Sequence, residues 1–176
     1  MHKPRVHSDP QGYFLHRYQW DLLIERISLE YGKKLRDPNY AERVTTLIEF
    51  SRGSEHGGYR AAFRSLSAGI LEKACILYID VSYEESLRKN RKRFNPNKPD
   101  SILEHGLEDA KLDRLYREVD WQEVSASDYK MIPIAGKKVP YVVFDNHDDV
   151  TTARGDELGA RLEGCLTRLW EYYLKR

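Results

Sequence analysis

The chain has 176 residues, with 29 Lys and Arg against 28 Asp and Glu, so its charge is dense at 32% but nearly balanced at +1. Its hydrophobic fraction of 40% and 12 tyrosines exceed what a disordered chain carries, and the balance gives no global attraction to nucleic acid or anionic lipid. No stretch approaches the ~18 uninterrupted apolar residues of a membrane span. No apolar h-region follows Met1-His2-Lys3-Pro4-Arg5, so the expected location is the cytoplasm. The length suits one domain, since single domains run to roughly 100–200 residues.

The first dozen residues carry Ser8-Asp9-Pro10-Gln11-Gly12, which is turn chemistry. From Tyr18, the apolar positions Leu22, Leu23, Ile27 and Tyr31 recur at helical spacing, and Gly32 stands where a C-cap belongs, predicting an amphipathic helix over about 18–31. Val44-Thr45-Thr46-Leu47-Ile48-Glu49-Phe50 is β-branched and apolar on both faces and reads as a buried strand. Tyr59, Phe63, Leu66 and Ile70 predict a helix over 58–73, and Cys75 to Val81 form a second buried run. Strand, helix, strand with short joints is a right-handed βαβ unit with parallel strands.

Ser82-Tyr83-Glu84-Glu85 has the spacing of a capping box, so a helix should start there and run to about Arg93. The segment Phe94 to Asp100 contains Pro96 and Pro99, which cannot continue it. A polar helix is expected at about 108–118. Lys130 to Ile134 and Val139 to Phe144 flank Ala135-Gly136-Lys137-Lys138 as a hairpin, and the second arm reads as the third buried strand. Leu158, Leu162, Cys165, Leu166, Leu169, Trp170 and Tyr173 trace a last helical stripe expected to face the core, with Thr151 or Thr152 as cap and Tyr172 alone pointing off it. Cys75 and Cys165 each lie in an apolar run and are expected as buried reduced thiols. The six histidines show no ligand spacing, so no metal site is expected.

In parallel sheets ligands bind at the carboxyl ends of strands, which singles out three places. After the first run come Glu49, Arg52 and His56-Gly57-Gly58, a carboxylate and a guanidinium suited to metal-assisted or phosphate chemistry, or else to a loop-closing ion pair. The basic helix end carries Arg88, Arg91, Lys92 and Arg93; it can clamp a phosphoryl group, or form a solvated face paired with Glu84, Glu85 and Glu104. The third is Asp145-Asn146-His147, a turn whose side chains can also cap the final helix.

The order strand, EFSRG, helix, ILYIDVS, capped helix, R-x-x-R-x-R, polar loop, helix, PYVVFDN, amphipathic helix resembles the C-terminal two-thirds of a P-loop kinase of the nucleoside/nucleotide kinase-like superfamily, over about residues 44–176. The resemblance implies a parallel-sheet, three-layer α/β/α domain spanning 1–176, with a LID-like polar insertion at about 88–120. It implies that Glu49 lies near Mg²⁺ or the acceptor hydroxyl and that Arg52 binds an anion on the acceptor side. Arg88, Arg91 and Arg93 become LID-side phosphate contacts, with ATP and Mg²⁺ as cofactors and a small-molecule phosphate acceptor or nucleotide as partner.

The departure from the family concerns its defining G-x-x-x-x-G-K-[ST] loop, whose amides cradle phosphates. It does not occur in these residues: Gly32-Lys33 and Gly136-Lys137 are each followed by Lys, and neither has a Gly five positions before its Gly. No buried strand precedes the first helix. In the family that strand lies between those matching 44–50 and 75–81, so the sheet is expected to be open at its centre. The chain then reads as the downstream part of a kinase-like phosphotransferase, with little or no ATP-dependent activity of its own. The competing reading is a non-catalytic α/β module that binds a nucleotide, nucleic acid or protein through 88–93; the charge balance argues against nucleic acid as its main partner. A third reading makes Trp170, Tyr172 and Tyr173 an interaction surface.

Overall fold

The computed structural model describes residues 5–98, 100, 101 and 104–176. The opening residues form a tight turn closed by a bridge between Ser8 and Phe14. Helix α1, Tyr18–Lys34, runs through Gly32 rather than stopping there. Its start is fixed by Gln19, which accepts from the His16 amide at 2.8 Å and donates to the His7 carbonyl at 2.9 Å. Ile24 is the apolar residue that α1 buries; of the expected stripe, Ile27 and Tyr31 are partly buried, while Leu22 and Leu23 are about half exposed.

After the short α2, Tyr40–Arg43, the run 44–50 departs from expectation. It is not a buried strand: no strand pairs with it among the described residues, and Leu47 is 92% exposed. It is held by a hydrogen bond between the Tyr40 and Thr46 hydroxyls at 3.0 Å and, at its end, by Phe50 packing against Tyr59 and Phe63. The helix expected over 58–73 is two pieces, α3, Gly58–Arg64, and α4, Ala68–Leu71. Ser67 interrupts them: its Oγ accepts from the Ile70 amide at 3.4 Å, and its own amide donates to Ser28 of α1 at 3.0 Å.

Strand β1, Ile76–Asp80, is followed by α5, Tyr83–Arg93, α6, Asp109–Tyr116, and α7, Trp121–Ser125. Pro99, one of the two prolines expected to break the chain after α5, lies outside the described residues, as do Met1 to Pro4. The hairpin forms as expected from β2, Met131–Ile134, and β3, Lys137–Asp145. Ala135 and Gly136 both take positive φ, 47° and 77°, the geometry that matches a two-residue turn to strand twist. The sheet is mixed and open, in the order β1-β3-β2, with β1 parallel and β2 antiparallel to β3.

Alternation along β3 builds the core on both faces. Val139 and Tyr141 join Ile132, Phe63 and Trp121 on one side, and Val142 and Phe144 join Cys165 and Leu169 on the other. After α8, Val150–Ala153, the chain turns at Arg154 and Gly155 into α9, Asp156–Leu174, whose N-cap is Gly155 rather than a threonine. The buried line of α9 is Leu158, Leu162, Cys165, Leu169 and Tyr172. The expected stripe is therefore corrected: Tyr172 faces inward, while Leu166 and Trp170 are more than half exposed. Cys75 is exposed, also against expectation; Cys165 is buried, and both thiols are free. Among the described residues no helix is long and apolar enough to cross a membrane.

The chain exposes 12404 Å². A folded monomer of 20.7 kDa exposes roughly 8,900 Å² by the usual scaling. The difference exceeds several-fold the ~800 Å² that one partner contributes to a standard interface.

Candidate functional site

Because β1 and β3 are parallel, their carboxyl ends open on one side. Ser82 follows β1 and caps α5, its Oγ accepting from the Glu85 amide at 3.2 Å. The turn after β3 is stapled to β1 by Asn146, which is 2% exposed. The Asn146 amide donates to the Asp80 carbonyl at 2.9 Å, and its side-chain oxygen accepts from the Thr151 amide at 3.3 Å. His147 Nε2 stands 3.4 Å from an Asp80 oxygen. Asp149 sits at φ 57°, in the left-handed region that Asp tolerates through local bonding.

Across this turn α5 lays two cations. Arg88 forks onto Glu85 at 2.7 and 2.6 Å and also reaches Asp149. Lys89 donates to Thr151 at 2.8 Å and approaches Asp149 at 2.8 Å. The Glu85 carboxylate thus serves Arg88 instead of returning to the Ser82 amide as a capping box requires. The Lys89 contact, with Thr152 and Arg88 adding to it, holds the Asp149 carboxyl well below the usual carboxylate range. Arg88 lowers Glu85 in the same way, and Glu85 raises Arg88 in return. At neutral pH these groups form a closed network of charges.

The other arginines of the run point elsewhere. Arg91 leaves α5 toward α6 and forks onto Asp109, at 2.6 Å for the shortest contact. Arg93 is exposed and has no ion-pair partner among the described residues. Arg88, Arg91 and Arg93 therefore do not converge on one anion-sized space. Glu49 is exposed on the unpaired segment. Arg52 is 2% exposed, bonded to Asp21 at 2.7 Å and to the His56 carbonyl at 2.8 Å, with Trp20 against its face at 5.4 Å. Burial pulls its pKa down, and Asp21 opposes the pull. Glu49 and Arg52 are not paired, and Arg52 ties α1 to the loop before α3.

Asp120 is the residue that sequence spacing did not single out. Its carboxylate accepts from the amides of Tyr59 at 2.6 Å and Arg60 at 3.0 Å, so it occupies the electropositive start of α3. Gly58 has φ +64°, and a Cβ there would meet that carboxylate at 2.2 Å. His56-Gly57-Gly58 was the available signal for this approach, but the acid comes from the far side of the chain. His56 itself stacks on Trp20 at 5.1 Å, and burial pulls its pKa down.

These residues do not form a cradle for ATP·Mg²⁺. Among the described residues no group of three His, Cys, Asp or Glu side chains is placed to hold a metal. Arg88 and Arg91 are neutralised by carboxylates, and the two Gly-Lys pairs lie in α1 and in the hairpin turn, not between a strand and a helix. No protein-family model, curated protein or solved structure matches the chain.

Proposed function

We propose that these 176 residues are the downstream part of a P-loop kinase-like phosphotransferase acting on a small-molecule acceptor, with a three-layer α/β/α domain as its complete form. The carrying observation is where the sheet stops. β1 pairs with β3 on one side only, and the strand-like run 44–50 pairs with no strand among the described residues, its Val44 amide only closing α2 on the Tyr40 carbonyl at 3.0 Å. Phe50 reaches Tyr78 of β1 only through the intervening ring of Tyr59, with centroid distances of 6.3 and 5.8 Å. That is the place where the family carries its phosphate-loop strand. The large exposed surface supports the same reading. The parts present supply the capped helix α5 and the Asn146 turn; the phosphate-binding amides belong to the absent strand and loop.

The test has two arms. Isothermal calorimetry of residues 1–176 with ATP·Mg²⁺ is expected to show no micromolar binding. The reading frame upstream of Met1 is expected to encode an apolar strand ending in G-x-x-x-x-G-K-[ST], and the extended chain is expected to bind ATP·Mg²⁺. Micromolar binding by 1–176 overturns the incompleteness, and an extended chain with that loop that binds no ATP overturns the kinase reading.

A further inference from the structure

Arg88, Lys89 and Arg91 of α5 are held by carboxylates, whereas the cations at the opposite end of β3 are not. A groove between the start of the hairpin and the end of α9 is lined by Lys130, Lys138, Arg168, Lys175 and Arg176, with Tyr129 and Tyr172 among them. Its side-chain carboxylates are Asp128 and Glu171, so five cations face two acidic side chains, and with the α-carboxylate of Arg176 in the 176-residue chain a surplus of two positive charges remains. Asp128 turns one oxygen to the Lys130 amide, 2.8 Å away within its own turn. Among the described residues none of the five cations is ion-paired, although the neighbouring Lys137 holds Glu72 at 2.8 Å. From Lys138 to Asp145 the strand spans roughly 23 Å at its ordinary rise, so the groove is remote from the Arg88 network.

The groove also carries aromatic faces. Lys130 Nζ lies 4.7 Å from the Tyr129 ring centre and 5.4 Å from that of Tyr172. Tyr129 is 74% exposed, so the ring is available to a ligand. Beside the groove, the guanidinium of Arg176 stacks on Tyr173 at 3.8 Å. A cationic groove that presents the accessible ring of Tyr129 suits a chain that alternates phosphates with flat bases, because the cations track the backbone and a base has a face to stack. An acidic peptide would leave the rings unused. We infer that this groove binds single-stranded nucleic acid.

Fluorescence anisotropy with a labelled twelve-nucleotide oligo-dT and oligo-U, titrated with the 176-residue chain between 50 and 300 mM salt, tests the inference. Neutralising two phosphates gives a slope of log affinity on log salt of about −1.4. The double variant Lys130→Ala/Arg168→Ala is expected to weaken binding at least tenfold and flatten the slope. Tyr129→Ala is expected to weaken it about tenfold with the slope unchanged, since stacking is lost and charge is kept. Arg36→Ala/Arg64→Ala, removing two exposed cations elsewhere, is expected to leave it unchanged. All are surface substitutions, and circular dichroism checks that each variant is folded. No binding at 50 mM salt, equal loss in the Arg36/Arg64 variant, a free mononucleotide binding as tightly as the oligonucleotide, or inorganic polyphosphate or an acidic peptide competing as well as the strand would each overturn it.

Discussion

The carboxylate of Asp120 holds the start of α3 across a sequence separation of about sixty residues, and its removal has a size that the geometry sets. Asp120→Ala deletes two charge-assisted bonds, from the half-buried Tyr59 amide and the exposed Arg60 amide. The exposed donor turns to water, so one orphaned donor dominates and the cost is about 2 kcal/mol, the upper end for a lost helix cap. Gly58→Ala places a Cβ at φ +64°, which costs about 1–2 kcal/mol. It also drives the carboxylate away and so forfeits the same two bonds, for about 3–4 kcal/mol in all. The double variant has no carboxylate to displace and should cost no more than Gly58→Ala alone, a departure from additivity of about 2 kcal/mol. Urea unfolding followed by tryptophan fluorescence reads this directly, because Trp121, next in sequence, stacks on Tyr78 at 3.9 Å. With a slope of about 2 kcal/mol per molar urea, Asp120→Ala should lower the midpoint by about 1 M. Strictly additive shifts would refute the account of Gly58 and Asp120 as one contact.

Four other outcomes are expected. The carboxyls of Asp149, Glu85, Asp109 and Asp148 are held low by their cations, so the stability they contribute is present above the unfolded value of about 4 and is lost as pH falls through the depressed folded values. The urea midpoint should drop below about pH 4, and drop less in Asp149→Asn; equal drops would contradict the network. Ser82→Ala should cost about 1 kcal/mol and speed hydrogen exchange at the first turn of α5, whereas Glu85→Gln should leave the Ser82 cap in place and Arg88 held by Asp149 alone. Ile132→Ala, at a 1% exposed position, should cost about 2–5 kcal/mol. Leu47→Asp, at a 92% exposed position, should fall within about 0.5 kcal/mol of the parent in thermal unfolding, and a large loss would mean that Leu47 is covered.

The elements legible in the sequence were those with local signals. Ser82 and Glu85 announce the start of α5, and Ala135-Gly136 the hairpin, because capping and turn chemistry act within a few residues. The orientation of α9 was not legible: leucines and aromatics occupy adjacent positions, so spacing alone leaves the choice between Tyr172 and Trp170 to the sheet beneath. Partners set by long-range folding were hidden too. Asp149 meets Arg88 from 61 residues away and Asp21 meets Arg52 from 31, so residues picked as phosphate and anion binders hold internal carboxylates instead. The apolar run 44–50 has the composition of a strand, but composition cannot supply the neighbour that would hydrogen-bond to it.

That neighbour matters most at β1. Parallel strands normally lie inside a sheet, covered on both faces, whereas strands at an edge are guarded by charge, proline or a bulge. β1 reads Ile-Leu-Tyr-Ile-Asp, with its one charge at the end, which is the composition of an interior strand. Yet among the described residues one side of it is unpaired, and Ile79 is 52% exposed. Leu166 and Trp170 are open on α9, which packs against β3 and the face of β1 that carries Leu77. An edge that bonds to backbone asks for a strand, and an apolar helix flank asks for a helix. A single strand–helix unit laid beside β1 would satisfy both, and a small ligand or a scattered surface contact would satisfy neither.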